Sequence, residues 1–115
     1  MNHPKALGAM REITHHVVPG DAAALRVFAD EPDPLGGNAA HVFVVTGPDG
    51  ETPLGEVVFQ RGPVKEAGLN GVQGVALLSV LVERMVGFQA GPFACDQNAA
   101  TLSQLQAALH SDNTR

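Results

Sequence analysis

The sequence predicts an α+β fold, a small antiparallel β-sheet of about four strands followed by an antiparallel two-helix hairpin. Three observations predict it. The composition changes once, near Asn70, from β-branched runs broken by Gly and Pro to two stretches with helical spacing. The turn sequence Gly47-Pro48-Asp49-Gly50 sits between two apolar runs. After residue 70, apolar residues recur at the one-face spacing of a helix. The 115 residues have the length of one domain, divided into a β-rich part with its loop (1–70) and a helical hairpin (71–115).

In chain order, Met10 to Val18 reads as a first strand, stopped by Pro19-Gly20. Leu25 to Asp30 is a short second strand. Glu31 to Ala39 holds two prolines, two glycines and Asn38, the composition of a loop. Ala40 to Thr46 is the third strand and Leu54 to Gln60 the fourth. Between them Pro48 presets one dihedral, Asp49 caps locally and Gly50 permits a positive φ, so the pair is a β-hairpin. The side-chain period of two puts His41, Phe43 and Val45 on one face of the third strand, and Val57 and Phe59 on one face of the fourth. Gly62 to Gly71, with Pro63, Gly68 and Gly71, reads as neither helix nor strand.

The first helix is expected from about Val72 to Phe88 and is apolar on more than one side: Leu78, Leu81, Val82 and Met85 form one face, with Val75, Leu77, Val80 and Val86 beyond it. So small a domain can hardly cover all of that surface itself, so part of it is expected to pack on another protomer. Gly91 and Pro92 end this helix, with Gly91 suited to a positive φ. The second helix is expected from about Ala94 to His110. Its narrow stripe of Leu102, Leu105 and Leu109, with Cys95 and Asn98 upstream, suits one antiparallel seam.

Composition excludes several classes. The net charge of -5 and seven scattered cations, among them Lys5 and Arg115, argue against long nucleic acids as partners. No apolar run of about 18 residues is present, so no transmembrane helix is expected. The segment Met1 to Met10 is not expected to be a signal peptide. A single cysteine fits a reducing compartment, and a cytoplasmic location is expected.

No metal or catalytic site is expected. Adjacent strand residues His15 and His16 would point to opposite faces, and no ligand cluster accompanies them. His41, Asp49 and a serine lack a nucleophile-elbow sequence. Glu12, Asp30, Glu31, Asp33, Glu51 and Glu56 are scattered and read as solvated surface. Cys95 lies near a helix start, where a thiol pKa can fall, but also on the apolar stripe, so burial is its expected fate.

The most unusual stretch runs from Phe59 through Gln60-Arg61-Gly62-Pro63-Val64-Lys65-Glu66-Ala67-Gly68-Leu69 to Asn70-Gly71. A strand leaves into a glycine-punctuated loop and enters a helix, a junction whose backbone N–H groups suit phosphate. Phe59 offers a flat face for a base and Asn70 can read a base or ribose edge. The spacing is not that of a phosphate-loop or dinucleotide fingerprint, and turn glycines beside a core phenylalanine would read the same way.

The run Phe59 to Glu66, then Asn70-Gly71-Val72, resembles part of the first Thoeris anti-defence family of phage sponge proteins. So do Gly87-Phe88-Gln89, Pro92-Phe93-Ala94-Cys95 and Asn98-Ala99 with Leu102 and Leu105. The upstream strands with Asp30-Glu31-Pro32 and Gly36-Gly37 are also similar, so the likeness spans about Glu12 to Leu109.

The resemblance implies a protein that binds and sequesters cyclic ADP-ribose isomers, including glycocyclic ADP-ribose, without cleaving them and without a cofactor. It implies a β-sheet followed by a helical hairpin, assembled as a homo-oligomer, a dimer or larger, in the host cytoplasm. Carried over by position, Phe59 would stack on adenine and Asn70 would hydrogen-bond, with Gln60 beside them. Arg61, Lys65 and Arg84 are the candidate pyrophosphate partners, and His41 is a candidate from the neighbouring strand.

Two features depart from the family. Asp96 stands where relatives usually carry Arg, and relatives continue past the second helix into an arginine-rich segment where this sequence ends at Thr114-Arg115. A second, cyclic-oligonucleotide site needing those cations is therefore left open. The rival expectations are a protein-interaction module acting through the apolar helix, and a small nucleotide-modifying enzyme.

Overall fold

The computed structural model describes residues 10–114. Lys5, Arg115 and all but the last residue of the segment read as no signal peptide lie outside the described residues. The chain divides into two compact units, one ending at Gly71 and the other beginning at Val72.

The first unit is a four-stranded antiparallel meander in the order β1-β2-β3-β4: β1 is Arg11–Ile13, β2 Arg26–Ala29, β3 Val42–Thr46 and β4 Pro53–Val58. The β-branched and aromatic content of β3, Val42-Phe43-Val44-Val45-Thr46, suits a pleated central strand. Phe28 pairs with Val44 on one face of the two central strands and Ala29 with Phe43 on the other, and Phe28, Ala29 and Val44 are buried. Thr46 is fully buried too, and its hydroxyl is satisfied by donating to the Gly47 carbonyl at 2.9 Å.

The β3–β4 turn is built as the sequence predicts. Gly50 N–H donates to Gly47 O at 3.0 Å, and Gly50 has φ 76°. Asp49 Oδ1 accepts from Glu51 N and Thr52 N, both at 2.9 Å, and Oδ2 accepts from the Thr52 hydroxyl at 2.6 Å. These bonds to the charged form hold the Asp49 carboxyl down at about 2.

Three expectations for this unit are corrected. β1 ends at Ile13, not Val18, because its partner β2 offers only four residues; the chain then turns, with Val17 N–H on Thr14 O, and His15 and His16 lie in that turn. His16 Nε2 stands 2.6 Å from the Leu25 carbonyl. The connection after β4 is not wholly irregular: Val64–Ala67 forms a one-turn helix, α1, which Pro63 starts and Gly68 stops. The loop 31–39 contains a 3-10 turn, Pro34–Gly36, capped by the Asp33 carboxylate.

The second unit is the helical hairpin, α2 (Gly74–Gln89) and α3 (Asp96–Asn113), packed on each other. A Cβ at Gly74, the first residue of α2, would lie 3.5 Å from Asp112 near the end of α3, so the helices run antiparallel. Asn98, Leu102, Leu105 and Leu109 are half-buried at the expected one-seam spacing.

Two details differ from expectation. Gly91 does not take a positive φ, because Ala90 caps α2 in the right-handed region with its N–H on Val86, Gly87 and Phe88 carbonyls. Cys95 is exposed, not buried in the stripe: it is the N-cap of α3, and its Sγ accepts from Asn98 N at 3.4 Å. Among the described residues no helix is long and apolar enough to cross a membrane.

Candidate functional site

Where β3 begins and β4 ends, the chain leaves a cavity of about 310 Å³ lined by His41, Val42, Val58, Phe59, Arg61 and Asn70. The floor is set by pairing: Val42 faces Val58 in register, and Phe59 N–H donates to His41 O at 2.7 Å. Phe59 is half-buried, with its ring edge-on to Phe43 at 5.6 Å between centroids. Gly71 passes so close that a Cβ there would collide with the Phe59 carbonyl and with Val58 O, so only glycine fits.

Two amide side chains close the neck of the loop 60–70. Gln60 Oε1 accepts from Asn70 N–H at 3.0 Å, while its Nε2 donates to Gly62 O at 3.0 Å and Gly68 O at 2.8 Å. Asn70 Oδ1 accepts from Arg61 N–H at 2.7 Å and its Nδ2 donates to Arg61 O at 2.8 Å. Inside the loop, Glu66 and Ala67 N–H groups bond Pro63 O and Gly68 N–H bonds Val64 O. The Arg61, Glu66, Ala67, Gly68 and Asn70 N–H groups are thus spent within the loop.

The cation at the cavity is the Arg61 side chain, about half exposed, whose NH2 stands 3.5 Å from Asp30 Oδ2 and whose Nε stands 3.7 Å from Asp33 Oδ2. Asp33 Oδ2 also lies 3.2 Å from His41 Nε2, and Asp30 Oδ1 accepts from His41 N at 2.9 Å and Val42 N at 3.2 Å. Asp30 and Asp33 are therefore partly buried and organised, not the solvated surface that their scatter in the sequence suggests. Their role was hidden because it depends on β3 and the loop 31–39 meeting in space. The one local signal was Asp33-Pro34 before two glycines, the start of a side-chain-capped turn.

No protein-family model matches the chain. It is 32% identical over 129 aligned residues to Thoeris anti-defense 1 of Bacillus phage SBSphiJ7, with 92% of this chain and 89% of that protein covered. The chain belongs to the Thoeris anti-defence family.

In this Thoeris anti-defence protein the site residues named from the sequence fall in four places. His41, Phe59, Arg61 and Asn70 meet at that cavity. Gln60 adjoins it, with both amide hydrogens and its oxygen committed to the loop. Lys65 is exposed on α1 and does not line the cavity. Arg84 belongs to the helical unit, where its guanidinium lies 4.8 Å over the Phe88 ring, which in turn meets Phe93 edge-on at 6.0 Å. Among the described residues no group of three or more His, Cys, Asp or Glu is placed to hold a metal.

Proposed function

We propose that this protein is a non-catalytic anti-defence sponge that sequesters cyclic ADP-ribose-type signals, including glycocyclic ADP-ribose, and so blocks Thoeris immune signalling in the host cytoplasm. The carrying observation is the meeting of an aromatic ring, a carboxamide, a guanidinium and an imidazole, Phe59, Asn70, Arg61 and His41, around one cavity. Family membership supports the same reading.

Each group has a role in that reading. Phe59 offers a ring for adenine to stack on. Asn70 keeps one N–H and one lone pair beyond those spent on Arg61, enough to read a base or ribose edge. Arg61 presents its exposed side to a pyrophosphate oxygen, with Lys65 of the same loop as a further candidate cation. Gln60 acts by fixing the loop that carries them.

A cavity of about 310 Å³ lies at the low end of small-molecule pockets, about 300–1,000 Å³. It takes part of such a ligand and leaves the rest to be covered. A second copy of the chain is the proposed cover, brought up through the hairpin. Val80, Leu81 and Val86 of α2 are 63%, 46% and 40% exposed, which is apolar surface in want of a partner. Enclosure of this kind slows release, which sequestration requires.

Mixing the protein with glycocyclic ADP-ribose, denaturing it and analysing the released nucleotide by mass spectrometry tests the reading. Intact ligand recovered in stoichiometric amount supports it; a new product makes the protein an enzyme. The exposed residues of α2 also favour a second reading, a module that docks a different protein. Size exclusion with light scattering separates the two, since the sponge is a dimer or larger and the module a monomer.

A further inference from the structure

His41 is the most enclosed polar side chain at the cavity, with 9% of it exposed. Its Nε2 lies 3.2 Å from Asp33 Oδ2. An ionised carboxylate only accepts, so in the neutral ring the proton sits on Nε2 and Nδ1 carries the lone pair. Among the described residues no hydrogen bond to Nδ1 is made. A ring nitrogen buried to this degree without a partner costs free energy until something donates to it.

The Asp33 carboxylate is itself held in place. Its Oδ1 accepts from Leu35 N at 3.0 Å, and the turn presses in at Gly36, where a Cβ would meet His41 Nε2 at 2.6 Å and Asp33 Oδ2 at 2.7 Å. The charged groups facing His41 are Asp33 and Asp30 from the loop before β3, and Arg61 from the loop after β4. Two carboxylates against one guanidinium leave that corner at a formal charge of -1, unfavourable for a phosphate beside the imidazole.

We propose that Asp33 is a positioning residue for ligand recognition: it fixes the His41 tautomer so that Nδ1 accepts a hydrogen bond from an N–H or O–H of the bound nucleotide, a base amine or a sugar hydroxyl, while phosphate is left to the exposed side of Arg61. The inference rests on the nucleotide-binding reading for its ligand, but the tautomer belongs to the free protein. Asp33→Asn inverts it. The variant's Oδ1 keeps the Leu35 N–H, its NH2 then faces Nε2, and the proton moves to Nδ1. This is the tautomer logic known from the aspartate of serine-protease triads.

Long-range ¹⁵N NMR of the imidazole in the free protein reads the tautomer directly. The expected result is Nε2–H in the wild type and Nδ1–H in Asp33→Asn, with glycocyclic ADP-ribose affinity about tenfold weaker or more in the variant. His41→Gln keeps a donor toward Asp33 and removes the Nδ1 acceptor, so it should fold and show the same loss even if Asp33→Asn does not fold. Nδ1–H in the wild type, or unchanged affinity in His41→Gln, overturns the proposal. A wild type that binds no nucleotide sinks the sponge reading alone, because the NMR result stands without ligand.

Discussion

Asn70 treats the backbone of Arg61 as a strand partner: its side-chain oxygen takes the Arg61 N–H at 2.7 Å and its side-chain nitrogen serves the Arg61 carbonyl at 2.8 Å. The eight residues between them are thereby held as a loop whose two ends both face the cavity. Removing the clasp in Asn70→Ala deletes two exposed hydrogen bonds, a cost of about 1–2 kcal/mol in chemical denaturation. The affinity loss should exceed that figure, since Arg61 loses its anchor and the ligand loses a carboxamide. An affinity loss no larger than the stability loss would leave Asn70 a loop fastener only.

Gly71 follows the clasp and lies against the Phe59 and Val58 carbonyls. Gly71→Ala must push β4 and the chain after Asn70 apart, which costs about 1–3 kcal/mol, as overpacking does. Because the displaced carbonyl is that of Phe59, ligand affinity should fall as well. Thermal unfolding and titration of the same sample check both.

The turn acid Asp49 gives a pH signature. Its carboxyl is lowered to about 2 by hydrogen bonds from the Thr52 hydroxyl and the Thr52 and Glu51 amides. A group lowered on folding stabilises above its unfolded value, about 3.9, and that contribution is lost as pH falls through about 2. Glu12 adds to the same trend, lowered by its hydrogen bonds to Arg26. Stability measured by denaturant should therefore drop between about pH 4 and about pH 2, and less steeply in Asp49→Asn. Equal slopes would contradict the assignment.

Cys95 caps α3 through a long sulfur contact to Asn98 N at 3.4 Å. Serine is a preferred cap, so Cys95→Ser should keep or raise stability, whereas Cys95→Ala should lower it by about 0.5–1 kcal/mol. A buried stripe cysteine would give the opposite order, with Ala tolerated and Ser penalised, and calorimetric melting distinguishes the two.

What the sequence disclosed follows the range of the forces involved. The β3–β4 hairpin was legible because Pro48, Asp49 and Gly50 favour a turn locally, and the observed turn uses the Asp49 side chain and a positive φ at Gly50. The helical hairpin was legible from the Leu102, Leu105 and Leu109 spacing. The end of β1 was not, since strand length is set by the partner strand, not by Val17 and Val18. Phe59 and Asn70 were legible as site candidates through the family likeness, but the spending of the Arg61 and Asn70 backbone N–H groups was not. Nor was the pairing of Asp33 with His41, because seven intervening residues must turn back before the two meet.

Isothermal calorimetry with glycocyclic ADP-ribose on the wild type and on Phe59→Ala tests the central claim most directly. The account predicts tight saturable binding by the wild type and a loss of about 1–3 kcal/mol or more on removing the stacking ring. No binding heat across a range of temperatures, or equal affinity in the two proteins, would contradict it.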